Sequence, residues 1–308
     1  MGGSSGWRFA IILICWSVMS SSTIIGVDLG GTKTAIARYD RKTMEEQEGV
    51  RIPTNADRDF SSILEDLVSA INGLRTEGTE AVGIGVPGLV EKNTGKIVSL
   101  PNIGGAEGFP LQKTLTDRLR LKVIVDNDAN CFALAEAIEG AGKGHDIVVG
   151  ITMGTGVGGG IVMNGELFRG HHGFAAEIGH MLLQPGHPPY DADDKRGDIE
   201  QFLSGSAMGK RCAAAKRPED YLEGAVCSFL QPEVFREVAW LTVNITHLLD
   251  PSIIIFGGSA GRSLSKHFPE IQKELKVWML PNTPFPILAS ALLPDAATRG
   301  AATLTIRE

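Results

Sequence analysis

A polar triplet, Asp126-Asn127-Asp128, separates an apolar run from an alanine-rich stretch. This order is typical of a buried strand that ends where a helix begins, and Asp at such a junction is also an ordinary N-cap. Capping explains only one of the three polar residues, so the triplet predicts a ligand site. A carboxylate placed there can accept the proton of an attacking hydroxyl group, which contributes roughly 10²–10⁴-fold to a reaction rate.

Two short Gly/Thr segments are candidate phosphate loops. Gly30-Gly31-Thr32 and Gly154-Thr155-Gly156 each lie between two apolar runs, an order that predicts strand, tight turn and strand. Glycine lets backbone N–H groups approach an anion, threonine adds a hydroxyl donor, and Lys33 adds a cation to the first turn. Because the same order occurs twice, we expect a duplicated architecture with a cleft between its halves. A pair of ordinary hairpin turns is the alternative.

Neither turn satisfies the familiar nucleotide-binding motifs. Gly26 and Gly31 have the spacing of a P-loop, but Thr32 stands where that motif requires lysine. Gly154–Gly159 contains the Rossmann glycine spacing, but an apolar, strand-like run follows where that motif requires a helix. The sequence therefore argues against a P-loop NTPase and against a dehydrogenase.

More polar candidates follow the second turn. Glu177 and His180 are three residues apart, which places them on one face if the segment is helical. Glu200 stands just ahead of a predicted helix start. These candidates are carboxylates, an amide and an imidazole, with no positively charged side chain among them. Such a set suits a neutral polyhydroxylated ligand such as a sugar, because hydroxyl groups both donate and accept hydrogen bonds. The acidic stretch 187–194 is expected to be a solvated loop rather than a cation site.

The elements that must position these residues alternate along the chain. Runs of β-branched residues that end in Gly or Asp predict strands, and the stretches between them predict helices. This alternation indicates an α/β protein, in which ligands lie beyond the carboxyl ends of the strands. The predicted strands are Ile24–Asp28, Ala81–Pro87, Val123–Asp126, Ile147–Gly154 and Ile253–Gly257, and the predicted helices are Phe60–Arg75, Ala129–Glu139, Glu233–Leu249 and His267–Leu280.

Composition narrows the class of protein further. A chain of 308 residues corresponds to about two domains, and 43% hydrophobic residues are enough for packed cores, which excludes wholesale disorder. The net charge of −7 argues against nucleic acid as a partner. The cysteines stand far apart without a C-x-x-C pair, which predicts small buried hydrophobes in a reducing compartment rather than disulfides. They are Cys15, Cys131, Cys212 and Cys227.

The first 22 residues are interpreted separately from the fold. Phe9–Val18 is an apolar run that is too short to span a bilayer, which takes about 20 residues. It is interpreted as an extension ahead of a true start at Met19; a membrane signal or a docked segment are the alternatives. We therefore expect residues 1–22 to be a leader or a mis-assigned start outside the fold.

The chain resembles the ROK family of sugar kinases, within the actin-like ATPase superfamily, from Thr23 to Glu308. The resemblance rests on seven motifs in the order of the family, each weak alone and specific together. They are Asp28-Leu29-Gly30-Gly31-Thr32-Lys33-Thr34, Gly83-Ile84-Gly85-Val86-Pro87-Gly88, Leu100-Pro101-Asn102, Asp126-Asn127-Asp128-Ala129-Asn130, Gly154-Thr155-Gly156-Val157-Gly158-Gly159-Gly160, Glu177-Ile178-Gly179-His180 and Phe256-Gly257-Gly258.

This resemblance implies an α/β fold of two actin-like (ribonuclease H-like) lobes. Each lobe is a mixed β-sheet flanked by helices, and the active site lies in the cleft between them. We expect residues 23–125 to form the N-terminal lobe, completed by a C-terminal helix over 294–308, and residues 126–293 to form the C-terminal lobe. A homodimer and a cytoplasmic location are expected, with neither a membrane nor nucleic acid as a partner.

The resemblance also assigns roles to individual residues. Asp128 matches the family's catalytic base, and Asp28 is expected to lie near Mg²⁺ and to contact it through water. The expected sugar contacts are Asn102, Asn127, Asp128, Glu177, His180 and Glu200. The expected ATP contacts are Gly30, Gly31, Thr32, Lys33, Gly154, Thr155, Gly156, Gly257 and Gly258.

Two departures from the family affect these expectations. Met181–Ile199 contains no cysteine where many members carry a zinc motif, so no structural zinc is predicted. Gly104-Gly105-Ala106-Glu107 replaces a segment that often contains tryptophan, which leaves substrate choice open. The favoured function is transfer of the γ-phosphate of ATP to the 6-hydroxyl of glucose. The alternatives are another hexose or an N-acetylhexosamine as acceptor, polyphosphate as donor, and a sugar-sensing or ATPase protein of the same fold.

Overall fold

The computed structural model describes residues 22–216 and 218–307, so the interpretation of the leader lies outside the described residues, apart from Ser22. The strands are β1 (Thr23–Leu29), β2 (Lys33–Asp40), β3 (Glu46–Pro53), β4 (Thr79–Val86), β5 (Leu89–Val90), β6 (Ile97–Ser99), β7 (Lys122–Asn127), β8 (Ile147–Met153), β9 (Val157–Met163), β10 (Glu166–Leu167), β11 (Ile253–Gly257) and β12 (Ile287–Ser290). The α-helices are α1 (Phe60–Leu74), α2 (Leu111–Leu119), α3 (Asp128–Ile138), α4 (Ile199–Leu203), α5 (Gly205–Arg211), α6 (Gln231–Leu249), α7 (Gly258–Leu264), α8 (Phe268–Trp278) and α9 (Ala296–Arg307).

The strands form two five-stranded mixed sheets of similar design. The first sheet has the order β3-β2-β1-β4-β7, and the second has the order β10-β9-β8-β11-β12. In each sheet an antiparallel hairpin, β1-β2 or β8-β9, adjoins two further strands that run parallel to its first strand. The duplicated architecture expected from the two Gly/Thr turns is therefore confirmed.

The predicted elements agree with the observed ones to within two residues at each end. Helix α1 shows why, because its buried side chains recur at helical spacing and face the first sheet, while its remaining positions are polar or small. Each sheet has its own core of buried apolar residues. Within the described ranges, no helix is long and apolar enough to cross a membrane.

Helix α9 lies directly on the backbone of the first sheet and on α3. A Cβ added to Gly83 of β4 would lie 1.7 Å from the carbonyl oxygen of Ala301. A Cβ added to Gly300 of α9 would lie 1.7 Å from the carbonyl oxygen of Cys131 in α3. Glycine at these positions allows contact that any side chain would prevent, and it places the start of α3 close to the strands of the first sheet.

The expectation that all the cysteines are reduced is wrong for one pair. Cys212 and Cys227 form a disulfide with their Cα atoms 6.1 Å apart, although they are separated by 15 residues in sequence. The chain folds back between α5 and α6, and this proximity follows from the fold, not from a recognisable spacing. Cys131 is a free, buried cysteine, as predicted, and Cys15 lies outside the described residues. The disulfide removes the cysteine-based argument for a reducing compartment.

Candidate active site

The carboxyl ends of β1, β4 and β7 form one edge of the first sheet. Asp28 in β1 pairs in register with Gly85 in β4, which pairs with Asp126 in β7. A Cβ added to Gly85 would lie 3.2 Å from the Cα atom of Asp128, so the missing side chain lets α3 begin against this edge. Parallel pairing therefore brings the acidic residues of two distant motifs together.

The three residues of the polar triplet have different tasks. Asp126 is buried, and its carboxylate accepts hydrogen bonds from Arg169 Nε at 2.5 Å and from Asn130 Nδ2 at 2.8 Å. Asn127 is the N-cap of α3, since its Oδ1 accepts the amides of Ala129 and Asn130. The cap is thus Asn127 rather than an aspartate, and Asp126 holds the junction together. Asp128 is the member of the triplet left for chemistry at the sheet edge.

Asp128 and Asp28 are two partly buried carboxylates that repel one another. The pKa of Asp128 is raised to about 7, mainly by burial and also by the charges of Asp28 and Glu177. Burial also raises the pKa of Asp28 to about 6, against the opposing effect of Lys33, and Asp295 adds repulsion. A carboxylate with a pKa near 7 is suited to accept a proton at neutral pH.

The turn between β1 and β2, Gly30–Thr32, is held by a hydroxyl group. The amide of Gly30 donates to the Lys33 carbonyl at 3.1 Å, which closes the turn. Thr54 Oγ1 donates to the carbonyl oxygen of Gly30 at 2.6 Å, and the Thr54 amide donates to Thr32 at 3.0 Å. Thr32 and Lys33 remain exposed above the sheet edge, where Lys33 interacts electrostatically with Asp28.

The turn between β8 and β9, Gly154–Gly156, is held by a carboxylate and by α5. The amide of Gly154 donates to the carbonyl of Gly156 at 3.0 Å, and Gly205 of α5 donates to the carbonyl of Gly154 at 2.7 Å. Glu200 Oε2 accepts the amide of Val157 at 2.9 Å. Strand β9 follows this turn directly, which confirms that the segment is not a Rossmann motif.

Gly257 and Gly258 lie beside the second turn. Gly257 at the end of β11 pairs with Thr152 of β8, two residues before Gly154. Gly258 has φ of +75°, and a Cβ there would lie 2.4 Å from the carbonyl oxygen of Met153. The predicted ATP contacts of the second half of the chain are thus brought together.

The remaining predicted sugar contacts fall into two groups. Asn102 is exposed and packs against the first turn, since a Cβ on Gly31 would lie 3.1 Å from its Cβ. Glu177, His180 and Glu200 form the other group, in which burial raises the pKa of Glu177, His180 lowers it and Glu200 raises it. Glu177 precedes a 3-10 turn at Ile178–His180 instead of lying within an α-helix. This second group couples electrostatically to Asp128 through Glu177.

Three residues that hold the candidate site were not predicted from the sequence: Asp198, Thr54 and Arg169. Asp198 is nearly buried, and its carboxylate lies 3.2 Å from Nδ1 of His180. The pattern Asp198-Ile199-Glu200-Gln201 is a recognisable helix-capping signal, so Asp198 was identifiable as a cap. Thr54 and Arg169 carry no local signal, because their partners are distant in sequence.

The two sheets, their paired hairpin turns and the carboxylates at the strand ends define an actin-like α/β protein. The ROK family model matches residues 24–308. The chain therefore belongs to the ROK family, and both the resemblance stated from the motifs and the predicted fold class are confirmed.

Relatives of this chain carry two enzyme names. A glucokinase from Thermotoga maritima is 29% identical over 315 residues, with 93% of this chain and 98% of that protein covered. An N-acetyl-D-glucosamine kinase from Histophilus somni is 31% identical, with 91% and 97% covered. The solved structure of a ROK family glucokinase from Streptomyces griseus, in complex with glucose and AMPPNP, has a TM-score of 0.75 and 32% identity, covering 93% of this chain and all of that one.

Proposed function

We propose that this protein is an ATP-dependent hexose kinase that transfers the γ-phosphate of ATP to the 6-hydroxyl of glucose. The observation that carries the proposal is Asp128, a partly buried carboxylate whose pKa is raised to about 7 at the sheet edge that also holds Asp28 and the first Gly/Thr turn. The similarity to ROK glucokinases supports the same reaction.

Asp128 is the general base in this mechanism. Its carboxylate accepts the proton of the sugar hydroxyl as that oxygen attacks the γ-phosphorus, and the bond to the β-phosphate oxygen of ATP breaks. Electrostatic repulsion from Asp28 and Glu177 favours uptake of this proton. The protein otherwise contributes positioning and charge stabilisation, since phosphoryl transfer requires little covalent participation.

The sugar is held by the two groups of polar residues. Asn102 binds from the side of the first turn, and Glu177, His180 and Glu200 bind from the side of the second sheet. Asn127 has one free amide hydrogen for the sugar at most, because its Oδ1 caps α3 and its Nδ2 donates to Gly88 at 3.1 Å. Carboxylates and an imidazole discriminate among hydroxyl positions, because each accepts a hydrogen bond from a defined direction.

The phosphates of ATP are bound by the two Gly/Thr turns. Gly30, Gly31, Thr32 and Lys33 supply amides, a hydroxyl and a cation from one side, and Gly154-Thr155-Gly156 supplies the other side. Gly257 and Gly258 approach the adenosine. A closed cleft excludes water from the γ-phosphate and thereby limits hydrolysis.

Magnesium fits the donor set on the side of Asp28. Carboxylates outnumber positively charged side chains there, and Lys33 is the positively charged residue that lowers the pKa of Asp28. The described residues contain no cluster of three or more metal-binding side chains, so Asp28 would hold the ion through water while the phosphates supply the other oxygens. The bound ion supplies neutralisation of phosphate charge. No structural zinc is proposed.

We place the boundary of the two lobes at residues 125 and 126, with α9 completing the N-terminal lobe. Contacts of α9 with β1 and β4 support that assignment, and contacts of α3 with both α9 and β9 suit a position at the junction. A homodimer in the cytoplasm is proposed from the family alone, with neither a membrane nor nucleic acid as a partner.

An N-acetylhexosamine is the second candidate acceptor. Similarity to an N-acetyl-D-glucosamine kinase at 31% identity favours it.

A coupled ADP-release assay tests the proposal. The full chain is incubated with MgATP and, separately, glucose, mannose, fructose, N-acetylglucosamine or N-acetylmannosamine. We expect turnover with glucose well above that with the other sugars and above the sugar-free rate. Preference for an N-acetylated sugar would establish the second candidate instead. Sugar-independent ADP release, or inactivity of folded protein with every sugar and with polyphosphate as donor, would reject the kinase assignment.

A further inference from the structure

One buried carboxylate beside the proposed sugar site makes two directed hydrogen bonds. Asp198 is 3% exposed. Its Oδ1 accepts the amide of Gln201 at 3.1 Å and caps α4, and its Oδ2 lies 3.2 Å from Nδ1 of His180. Capping needs only one of these oxygens, so the second oxygen is available for a separate role.

The contact with His180 determines which ring nitrogen carries the proton. An ionised carboxylate can only accept hydrogen bonds, so Nδ1 of His180 must be the donor. In the neutral imidazole, Nε2 then bears the lone pair and becomes the acceptor. The His180 side chain is 50% exposed, which leaves the ring accessible to a ligand.

The backbone around Asp198 keeps this contact in place. The amide of Ile199 donates to the carbonyl of Met181 at 2.9 Å, and the amide of Leu183 donates to the carbonyl of Gly197 at 2.9 Å. These hydrogen bonds hold the two ends of the segment between His180 and α4 side by side. Two residues after Asp198, Glu200 accepts the amide of Val157 beside the second turn. The start of α4 therefore orients two of the proposed sugar ligands at once.

We propose that Asp198 is a positioning residue that fixes His180 as the Nδ1–H tautomer, so that Nε2 accepts a hydrogen bond from a sugar hydroxyl. The inference rests on the proposed function, in which His180 binds the sugar. Asp198 itself does not touch the substrate. It sets the direction of one hydrogen bond and thereby helps to select sugars with a hydroxyl at that ring position.

Asp198→Asn separates this role from helix capping. Asparagine is as good an N-cap as aspartate, so α4 and the fold are retained. Its side chain can turn its amide toward Nδ1, and an amide donates as well as accepts, so both tautomers of His180 become possible. Asp193→Asn is the matched control, because Asp193 is an exposed carboxylate of the same segment.

The first test is spectroscopic and needs no activity. Two-dimensional ¹H–¹⁵N correlation of the histidine ring nitrogens is recorded on the full chain without sugar, and the His180 signals are assigned by their loss in His180→Ala. We expect Nδ1–H for His180 in the wild type and in Asp193→Asn, and a mixture of tautomers in Asp198→Asn. A dominant Nε2–H tautomer in the wild type would overturn the inference.

The second test is kinetic. Asp198→Asn is expected to raise KM for the accepted sugar about tenfold, which corresponds to the loss of about one hydrogen bond, with KM for ATP within about twofold. In a His180→Ala background the same substitution should have no further effect on sugar KM. An equal increase in that background would show a purely structural role and overturn the inference. Absence of wild-type turnover with any sugar would reject the proposed function, and the tautomer measurement would then decide the inference alone.

Discussion

The two Gly/Thr turns occupy equivalent places in their sheets but are held by different chemistry. The first turn, Gly30–Thr32, is held by the neutral hydroxyl of Thr54 and stands beside Lys33 and Asp28. The second turn, Gly154–Gly156, is held by the carboxylate of Glu200 and by the backbone of α5. The first turn therefore stands beside a lysine and an aspartate, whereas the second turn is anchored by a carboxylate that accepts a neighbouring backbone amide.

This difference shows how a duplicated fold divides one reaction between its halves. Asp128 interacts electrostatically with Asp28 on the first side and with Glu177 on the second. Glu177 in turn interacts with Glu200, which also holds the second turn. The second turn is thus connected to the residues proposed to bind the sugar, whereas the first turn is connected to the charges proposed to act on the transferred phosphate.

The largest effect is expected at Asp128, where the two sides meet. Asp128→Asn should lower kcat by roughly 10²–10⁴-fold, because the general base is lost, while sugar binding is retained. Steady-state kinetics and calorimetric titration with the sugar measure the two quantities. Asp117→Asn is the matched control and should behave as wild type, because Asp117 is an exposed carboxylate of α2 that pairs with Lys113. Near-normal turnover by folded Asp128→Asn would show that another group is the base.

The Cys212–Cys227 disulfide should stabilise the second side of the molecule alone. Cys212 is the C-cap of α5, the helix whose first residue holds the second turn. Closing a loop of this length is worth about 3 kcal/mol on the loop-entropy account. The double variant Cys212→Ala/Cys227→Ala should therefore unfold at a lower temperature in calorimetry. A thiol reductant should lower the unfolding temperature of the wild type and leave that of the double variant unchanged. Equal unfolding temperatures of the wild type and the double variant without reductant would mean that the disulfide contributes nothing to stability.

The dependence of kcat/KM on pH should report the carboxylate pair. Asp128 must be ionised to accept a proton, and burial and repulsion raise its pKa to about 7. Activity should therefore fall about tenfold per pH unit below roughly pH 7 and level off above it. The raised pKa also means that ionised Asp128 destabilises the fold, and Asp128→Asn removes this destabilisation. The unfolding temperature of Asp128→Asn should therefore exceed that of the wild type by an amount that grows as the pH rises from about 4 to about 7. A rate that is flat from pH 5 to pH 8 would contradict the assigned base.

A pair of alanine variants tests how closely the second turn is packed. A Cβ on Gly156 would lie 2.5 Å from Glu200 Oε2, whereas a Cβ on Gly154 would meet nothing within 4 Å. Gly156→Ala should displace Glu200 and raise KM for both ATP and sugar, by about tenfold if one hydrogen bond is lost. Gly154→Ala should raise KM for ATP alone, and only if the phosphate touches that glycine. If Gly156→Ala leaves KM for the sugar unchanged, the proposed connection between this turn and the sugar site is contradicted.

The smallest effect on stability is expected from chelation. If the segment 181–199 is held by Asp198 and backbone hydrogen bonds, EDTA should leave the unfolding temperature unchanged while turnover stops until Mg²⁺ is restored. Metal analysis of the washed protein should find no zinc. One zinc per chain, together with a lowered unfolding temperature after chelation, would contradict the prediction.

Much of the fold could be predicted because local patterns and long-range requirements agree. Apolar residues of α1 recur at helical spacing, and the β-branched run of β11 ends in Gly257, so both elements are evident without tertiary information. The polar triplet was equally evident as a site. The residue that caps α3 was not, because Asn127 and Asp128 differ in this respect only through the geometry of the strand–helix junction.

The sequence by itself determined the order of strands, turns and helices, the family, and the residue types available for chemistry. These depend on periodicity and on short motifs, which neighbouring residues specify. Only the tertiary structure decided that Asp126 is tied to Arg169, that Asp198 contacts His180, and that Cys212 meets Cys227. Each of these contacts joins residues that are distant along the chain, and their proximity depends on how the sheets, α4 and the return to α6 pack in space. The raised pKa of Asp128 has the same origin, since burial and nearby charge are properties of the folded chain.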